Sequence, residues 1–205
     1  MNLTNTLVPT QVDVWSDYVC PWCYMGNLGL KRLNETEPVE LNWHAFELRP
    51  EGSPPISPEY LQRIEAGQPM LRARFKKDFN IELNSGPFGI NTRTVHQLKK
   101  YADSQGKGNE FHDAVLVAYW MNAVDISDET QQQELLRQVG IETPVAEILA
   151  NTSLEQEVVA DEQFAYQNGI SGVPAMVFGE KYLVSGAQPV DVLKKVVAQL
   201  KQESE

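Results

Sequence analysis

The chain has 205 residues, 17 of them lysine or arginine and 28 aspartate or glutamate, for a formal net charge of −11. That balance argues against nucleic acid or an anionic membrane as a partner, since both reward basic surfaces. No apolar run approaches the roughly 20 residues of a membrane span, and the opening Met1–Pro9 lacks the basic and apolar regions of a secretory leader, so the expected location is cytoplasmic.

Residues 1–9 read as a loose arm. Gln11–Trp15 read as a first strand, and Ser16-Asp17-Tyr18-Val19 as the turn into Cys20-Pro21-Trp22-Cys23. Those four residues open a helix-like run, Tyr24–Asn34. Val39–Ala45 then alternates strictly, the period of a strand. Strand, helix, strand makes a βαβ unit whose two strands should pair in parallel. Glu51-Gly52-Ser53-Pro54-Pro55 breaks the pattern, and a long helical block follows. Ser57 and Pro58 read as N-cap and first helical residue. Met70–Phe79 reads as an amphipathic basic helix, and Ser85–Gly89 as a loop. Asn91 or Thr92 caps a helix through Tyr101, Asn109–Ala123 is an apolar helix, Ser127 caps another, Thr143-Pro144 starts a short one, and Ser153 caps the last, to about Asn168. From Gly172 the character changes. Ala175–Phe178 and Tyr182–Val184, joined by Gly179-Glu180-Lys181, form a hairpin signal, and Gln188–Lys201 closes the chain as a helix.

Two cysteines two residues apart on a strand-to-helix turn suit thiol–disulfide exchange. At a helix N-terminus the first backbone N–H groups lack intrahelical partners and the macrodipole is positive, so both would stabilise a thiolate at Cys20. Cys23, one turn further in, would be shielded yet close enough to attack a mixed disulfide on Cys20. A structural zinc site needs about two more ligands at similar spacing. Only Cys20 and Cys23 are present, and His44, His96 and His112 are far apart in sequence, so no metal is expected. In a cytoplasmic chain such a pair is more readily catalytic than a permanent cross-link.

βαβ, a helical block and ββα, with Cys-x-x-Cys opening the first helix, resembles a thioredoxin fold carrying a large α-helical insertion, the α/β layout of the DsbA-like family. The implied division is a thioredoxin-like domain at 10–55 and 166–205 with an inserted helical domain at 56–165. Ser16–Cys23, Phe46-Glu47-Leu48-Arg49-Pro50, Asn91-Thr92 with His96, Gly172-Val173-Pro174 and Ser185–Gln188 resemble the FrnE-like branch. That branch neighbours 2-hydroxychromene-2-carboxylate isomerases and kappa-class glutathione transferases. The isomerase branch typically has serine at the first cysteine position and uses glutathione, whereas both cysteines stand here. The second cysteine pair of some FrnE-like proteins is absent.

The resemblance implies a thiol–disulfide oxidoreductase with Cys20 as nucleophile and Cys23 as resolving thiol. Pro21 and Trp22 would shape the rim. Pro174, expected to be cis, would present the Val173 backbone to an extended peptide or to glutathione. The Pro-Trp dipeptide has no histidine, which implies a milder oxidant than the strongly oxidising periplasmic enzymes. The expected partner is a disulfide-bearing protein or a low-molecular-weight thiol such as glutathione, with no bound cofactor, and a homodimer stays open. The rival readings are a glutathione-dependent isomerase or transferase acting on a small aromatic molecule, and a redox-inactive peptide-binding protein. Asp17 is either a group acting on Cys20 or a solvated turn residue. Glu47 is either a buried base or the ion-pair partner of Arg49 or another arginine. His96 is either a cleft residue or a structural one. Thioredoxins often carry a buried acid six residues before the nucleophile, and Val14 stands there instead. Arg72, Arg74, Lys76 and Lys77 read as a solvated helix face.

Overall fold

The sheet is built by four short strands in the order β2-β1-β3-β4. The computed structural model describes residues 8–203, so most of the loose arm read at 1–9 lies outside the described residues. β1 (Thr10–Ser16) and β2 (Val39–Ala45) are parallel, with Trp15 opposite His44 and Ser16 opposite Ala45. The crossover between them is α1 (Pro21–Asn34). β3 (Ala175–Phe178) runs antiparallel to β1, with Ala175 opposite Trp15, and β4 (Tyr182–Ser185) pairs antiparallel with β3. A parallel β1–β2 pair connected through α1, with an antiparallel hairpin on the other side of β1, is what a βαβ start and a hairpin end produce when joined through β1.

Alternation along β1 sends successive side chains to opposite faces. Val12 and Val14 pack with Leu30 and Leu33 of α1 and with Leu193 and Val197 of the last helix, α8 (Val190–Glu203). Each such fully buried side chain is worth roughly 1.5–3 kcal/mol. Trp15, on the other face, packs with Phe46, Ala165, Ile170 and Ala175.

Six helices lie between β2 and β3: α2 (Pro58–Phe79), α3 (Arg93–Ser104), α4 (Gly108–Met121), α5 (Glu129–Gln138), α6 (Val145–Leu149) and α7 (Thr152–Gln167). Their own core centres on Phe75, Leu98, Phe111, Leu116 and Leu136, and it also takes in Tyr18 and Tyr24 from the cysteine turn and α1. The site's local backbone is therefore shared between the sheet and the helical block. The aromatic residues of α4, Phe111, Tyr119 and Trp120, are core as their spacing suggests.

Several element ends differ from the sequence reading. α2 runs unbroken through Pro69, which has no N–H for the Glu65 carbonyl, so one helix replaces a separate start at Met70. The N-cap positions of α5 and α7 are Asp128 and Asn151 rather than Ser127 and Ser153, and α4 starts at Gly108 with Lys107 at its N-cap. Ser127 and Ser153 use their hydroxyls on the preceding Asp125 and Asn151 instead. At α3 the N-cap position is Thr92, but its hydroxyl is committed elsewhere, and Asn91 Oδ1 accepts from Arg93 N–H at 2.9 Å.

Candidate active site

Cys20 is the N-cap residue of α1 and Pro21 follows at the first helical position, where a missing N–H costs nothing. The backbone N–H groups of Cys23 and Tyr24 close on the Cys20 carbonyl at 3.1 and 3.2 Å, which starts the helix and places Cys23 one turn below Cys20. Both thiols are free. Cys20 is 3% exposed and Cys23 1%.

The Cys20 thiol donates to the carbonyl oxygen of Val173 at 3.7 Å. The Val173–Pro174 peptide bond is cis. Pro174 is buried, and its own carbonyl accepts from Gly186 N–H at 2.7 Å, which ties the loop to the end of β4. Beside this loop a cleft of about 260 Å³ runs along Gly172, Val173 and Pro174 to Leu183 and Ser185.

Cys23 accepts from Asp17 N–H at 3.5 Å. Burial pushes its thiol well up, and the neighbouring Cys20 adds to the rise. The Asp17 N–H and the Ser16 hydroxyl work in the opposite sense. Ser16 acts at longer range, because its oxygen closes no well-formed hydrogen bond with the protein.

Trp22 is half-buried against the helical core, and the Arg74 guanidinium of α2 stands 5.6 Å above its ring. The basic face of α2 is thus not simply solvated: Arg74 covers Trp22, and Arg72 donates to the Leu83 carbonyl at 2.8 Å.

Asp17 is no solvated turn residue. Its carboxylate is buried and accepts from Leu48 N–H at 2.7 Å and the Thr92 hydroxyl at 2.8 Å. His96 Nε2 lies 3.5 Å from the same carboxylate, and the His96 ring packs 4.9 Å from that of Tyr18. Glu47 is buried and paired with Arg93, not Arg49, while Asn91 donates to it at 3.0 Å. Glu162 of α7 accepts from Glu47 N–H at 2.9 Å and also meets Arg93. Burial, with Glu47 beside it, raises the Glu162 carboxyl against the pull of that N–H and of Arg93. Glu47 and Asp17 therefore clamp the cysteine turn to α3 and to the chain leaving β2. Among the described residues no group of three or more His, Cys, Asp or Glu is placed to hold a metal ion, and no helix is long and apolar enough to cross a membrane.

A model of the DSBA-like thioredoxin domain family matches residues 11–198. The chain belongs to that family. The uncharacterized protein YwbO of Bacillus subtilis (strain 168) is 26% identical over 197 residues, which span 91% of this chain and 95% of YwbO. A crystal structure of a probable DsbA oxidoreductase from Streptomyces coelicolor superposes with a TM-score of 0.78 at 27% identity, covering 95% of this chain and 91% of that one. A 2-hydroxychromene-2-carboxylate isomerase superposes with a TM-score of 0.78 at 17% identity, over 95% of this chain and 97% of its own, a likeness of fold alone. Within this DSBA-like domain, Arg93 and Gly26 escaped sequence reading as site-building residues, because Arg93 meets Glu47 and Gly26 lies against Pro174, both distant in the chain. Asp17 stood out as an acid three residues before a Cys-x-x-Cys, but its partners Leu48 and Thr92 gave no local signal.

Proposed function

We propose that this protein is a thiol–disulfide oxidoreductase in which Cys20 exchanges with substrate and Cys23 resolves the intermediate. One observation carries the reading. The Cys20 sulfur sits at the start of α1 against the Val173 carbonyl, with Cys23 held protonated one turn below it. In the reducing direction the Cys20 sulfur attacks a substrate disulfide, that S–S bond breaks, and one substrate thiol leaves. The Cys23 sulfur then attacks Cys20, the mixed disulfide breaks, and the second substrate thiol departs with its electron pair. The substrate disulfide has gained two electrons and the enzyme holds a Cys20–Cys23 disulfide.

The substrate class is a disulfide-bearing protein or a low-molecular-weight disulfide. The cleft along Gly172–Pro174 and the exposed Leu48, whose N–H binds Asp17, support an extended, partly apolar chain beside Cys20. The test is trapping. Cys23→Ala incubated with insulin or glutathione disulfide should accumulate a covalent adduct on Cys20, and Cys20→Ala should form none. Equal adducts on both variants, or a Cys20→Ser protein that fully retains turnover, would overturn the assignment.

A further inference from the structure

Between the end of β1, β2 and helices α3 and α4, beside Tyr18 of the cysteine turn, lies a small cavity of about 10 Å³, at the lower limit for one water. Three buried side-chain atoms in the described chain have no hydrogen-bond partner in the protein, namely Ser16 Oγ, His96 Nε2 and His112 Nε2, and all three residues line this cavity. They are 3%, 5% and 3% exposed. A buried polar atom without a partner costs about 1–3 kcal/mol, and three converging on one space make a site with the two to four polar partners a buried water needs. Ser16 also directly precedes Asp17, whose N–H donates to the Cys23 sulfur at 3.5 Å.

The geometry points to one water held by Ser16, His96 and His112, which with the Ser16 hydroxyl forms a proton path from Cys23 to His96. This rests on the oxidoreductase reading and deepens it by naming where the resolving proton goes. As Cys23 attacks Cys20, its S–H bond breaks and the proton passes to Ser16 Oγ. The Ser16 hydrogen moves to the water, and a water hydrogen moves to His96 Nε2, 3.5 Å from the Asp17 carboxylate. The Cys20–Cys23 bond forms, the bond from Cys20 to substrate breaks, and the substrate thiolate leaves with its electron pair. His96 later returns its proton to solvent, and the substrate takes one up. Ser16 and His96 act through Cys23 and are positioning residues.

The surroundings suit this direction. His112 is held neutral: burial drives its imidazole well below the usual range, with Lys99, His96 and Lys31 adding to the effect, so it anchors the water without competing for the proton. Tyr18 meets His112 Nδ1 at 3.3 Å and is kept protonated by burial and by the acids around it. From α3, Lys99 is neutralised by Asp103 and Lys100 by Asp161 of α7. From β2, His44 is held by Asp161 and by Asp13 of β1. Asp17, from the cysteine turn, is the acid nearest His96 at 3.5 Å, and Glu162 of α7 also acts on His96 through its charge.

The experiment separates the two chemical steps. Using wild type and Ser16→Ala, the rate of adduct formation on Cys20 and the rate of second-thiol release are followed from pH 6 to 9 with glutathione disulfide. Ser16→Ala should slow release about tenfold or more near pH 7, leave adduct formation unchanged, and recover toward the wild-type rate as pH rises and hydroxide takes the proton. His96→Gln should show the same split. Equal slowing of both steps, or no slowing of release, would overturn the relay. A second measurement needs no variant: reduced wild type should show nuclear Overhauser effects from a long-lived water to the His96 and His112 rings, and their absence would overturn the site. Failure of wild type to form any adduct would instead refute the oxidoreductase reading itself.

Discussion

Gly26 of α1 lies against Pro174: a Cβ on Gly26 would come within 3.3 Å of Pro174 Cγ and 2.9 Å of Met176 Cε. Only a very small residue at 26 lets the cysteine-bearing helix sit this close to the cis-proline loop. Gly26→Val should therefore destabilise the protein by about 1–3 kcal/mol through overpacking and should lengthen the Cys20–Val173 contact. Gly26→Ala should be nearly neutral, since Met176 can yield and alanine favours helix by about 1 kcal/mol. Urea unfolding of both variants checks this, and a Gly26→Val protein as stable as wild type would contradict it.

Asp17 joins the cysteine turn to Leu48 N–H and the Thr92 hydroxyl. Asp17→Asn replaces an acceptor oxygen with a donor that then faces another donor. The expected cost is about 2–3 kcal/mol, read as a lower denaturant midpoint with an unchanged slope. A change below about 0.5 kcal/mol would mean the carboxylate is not the clamp described.

His44 gives a pH signature of known sign. Burial lowers its imidazole, but hydrogen bonds to Asp161 and Asp13 outweigh burial and hold it above the ordinary histidine value of about 6.5. A raised folded-state value contributes stability that is fully present below about pH 6.5 and is lost as pH rises through the folded value. His44→Gln should cost about 1–3 kcal/mol at pH 6 and clearly less at pH 8. A cost that grew with pH would reverse the assignment.

Cys23 should be the slow thiol. Its raised value keeps it protonated at neutral pH, and only the thiolate reacts. Iodoacetamide at pH 7.5 should label Cys20 of the native protein about tenfold or more ahead of Cys23, with the two rates converging in denaturant. Mass spectrometry of the two peptides reads this directly.

The order βαβ, helices, ββα and the place of the 20–23 turn at a helix start were legible because each is written in neighbouring residues: Val39–Ala45 alternates, Pro21 marks a helix start, and Val173-Pro174 precedes a strand. What the sequence hides is pairing across the chain. Cys20 and Val173 are separated by 153 positions, and Glu47 chooses Arg93 over the nearer Arg49 because α3 brings Arg93 to the end of β2. Helix caps shifted for a local reason. Asp128 and Asn151, not Ser127 and Ser153, accept first-turn backbone N–H groups, those of Gln131 and Ser153. His96 and His112, far apart in sequence, meet around Tyr18 only because α3 and α4 pack together.

The central claim is that Cys20 and Cys23 form a reversible two-electron couple. Equilibrating the purified protein with glutathione buffers of stepped ratio, then quenching and counting free thiols on both cysteines, measures it. The account predicts one two-electron transition within the roughly −120 to −270 mV range of thioredoxin-fold enzymes, abolished in either cysteine variant. Two thiols that stay reduced at every ratio, or that titrate independently as separate glutathione adducts, would contradict it.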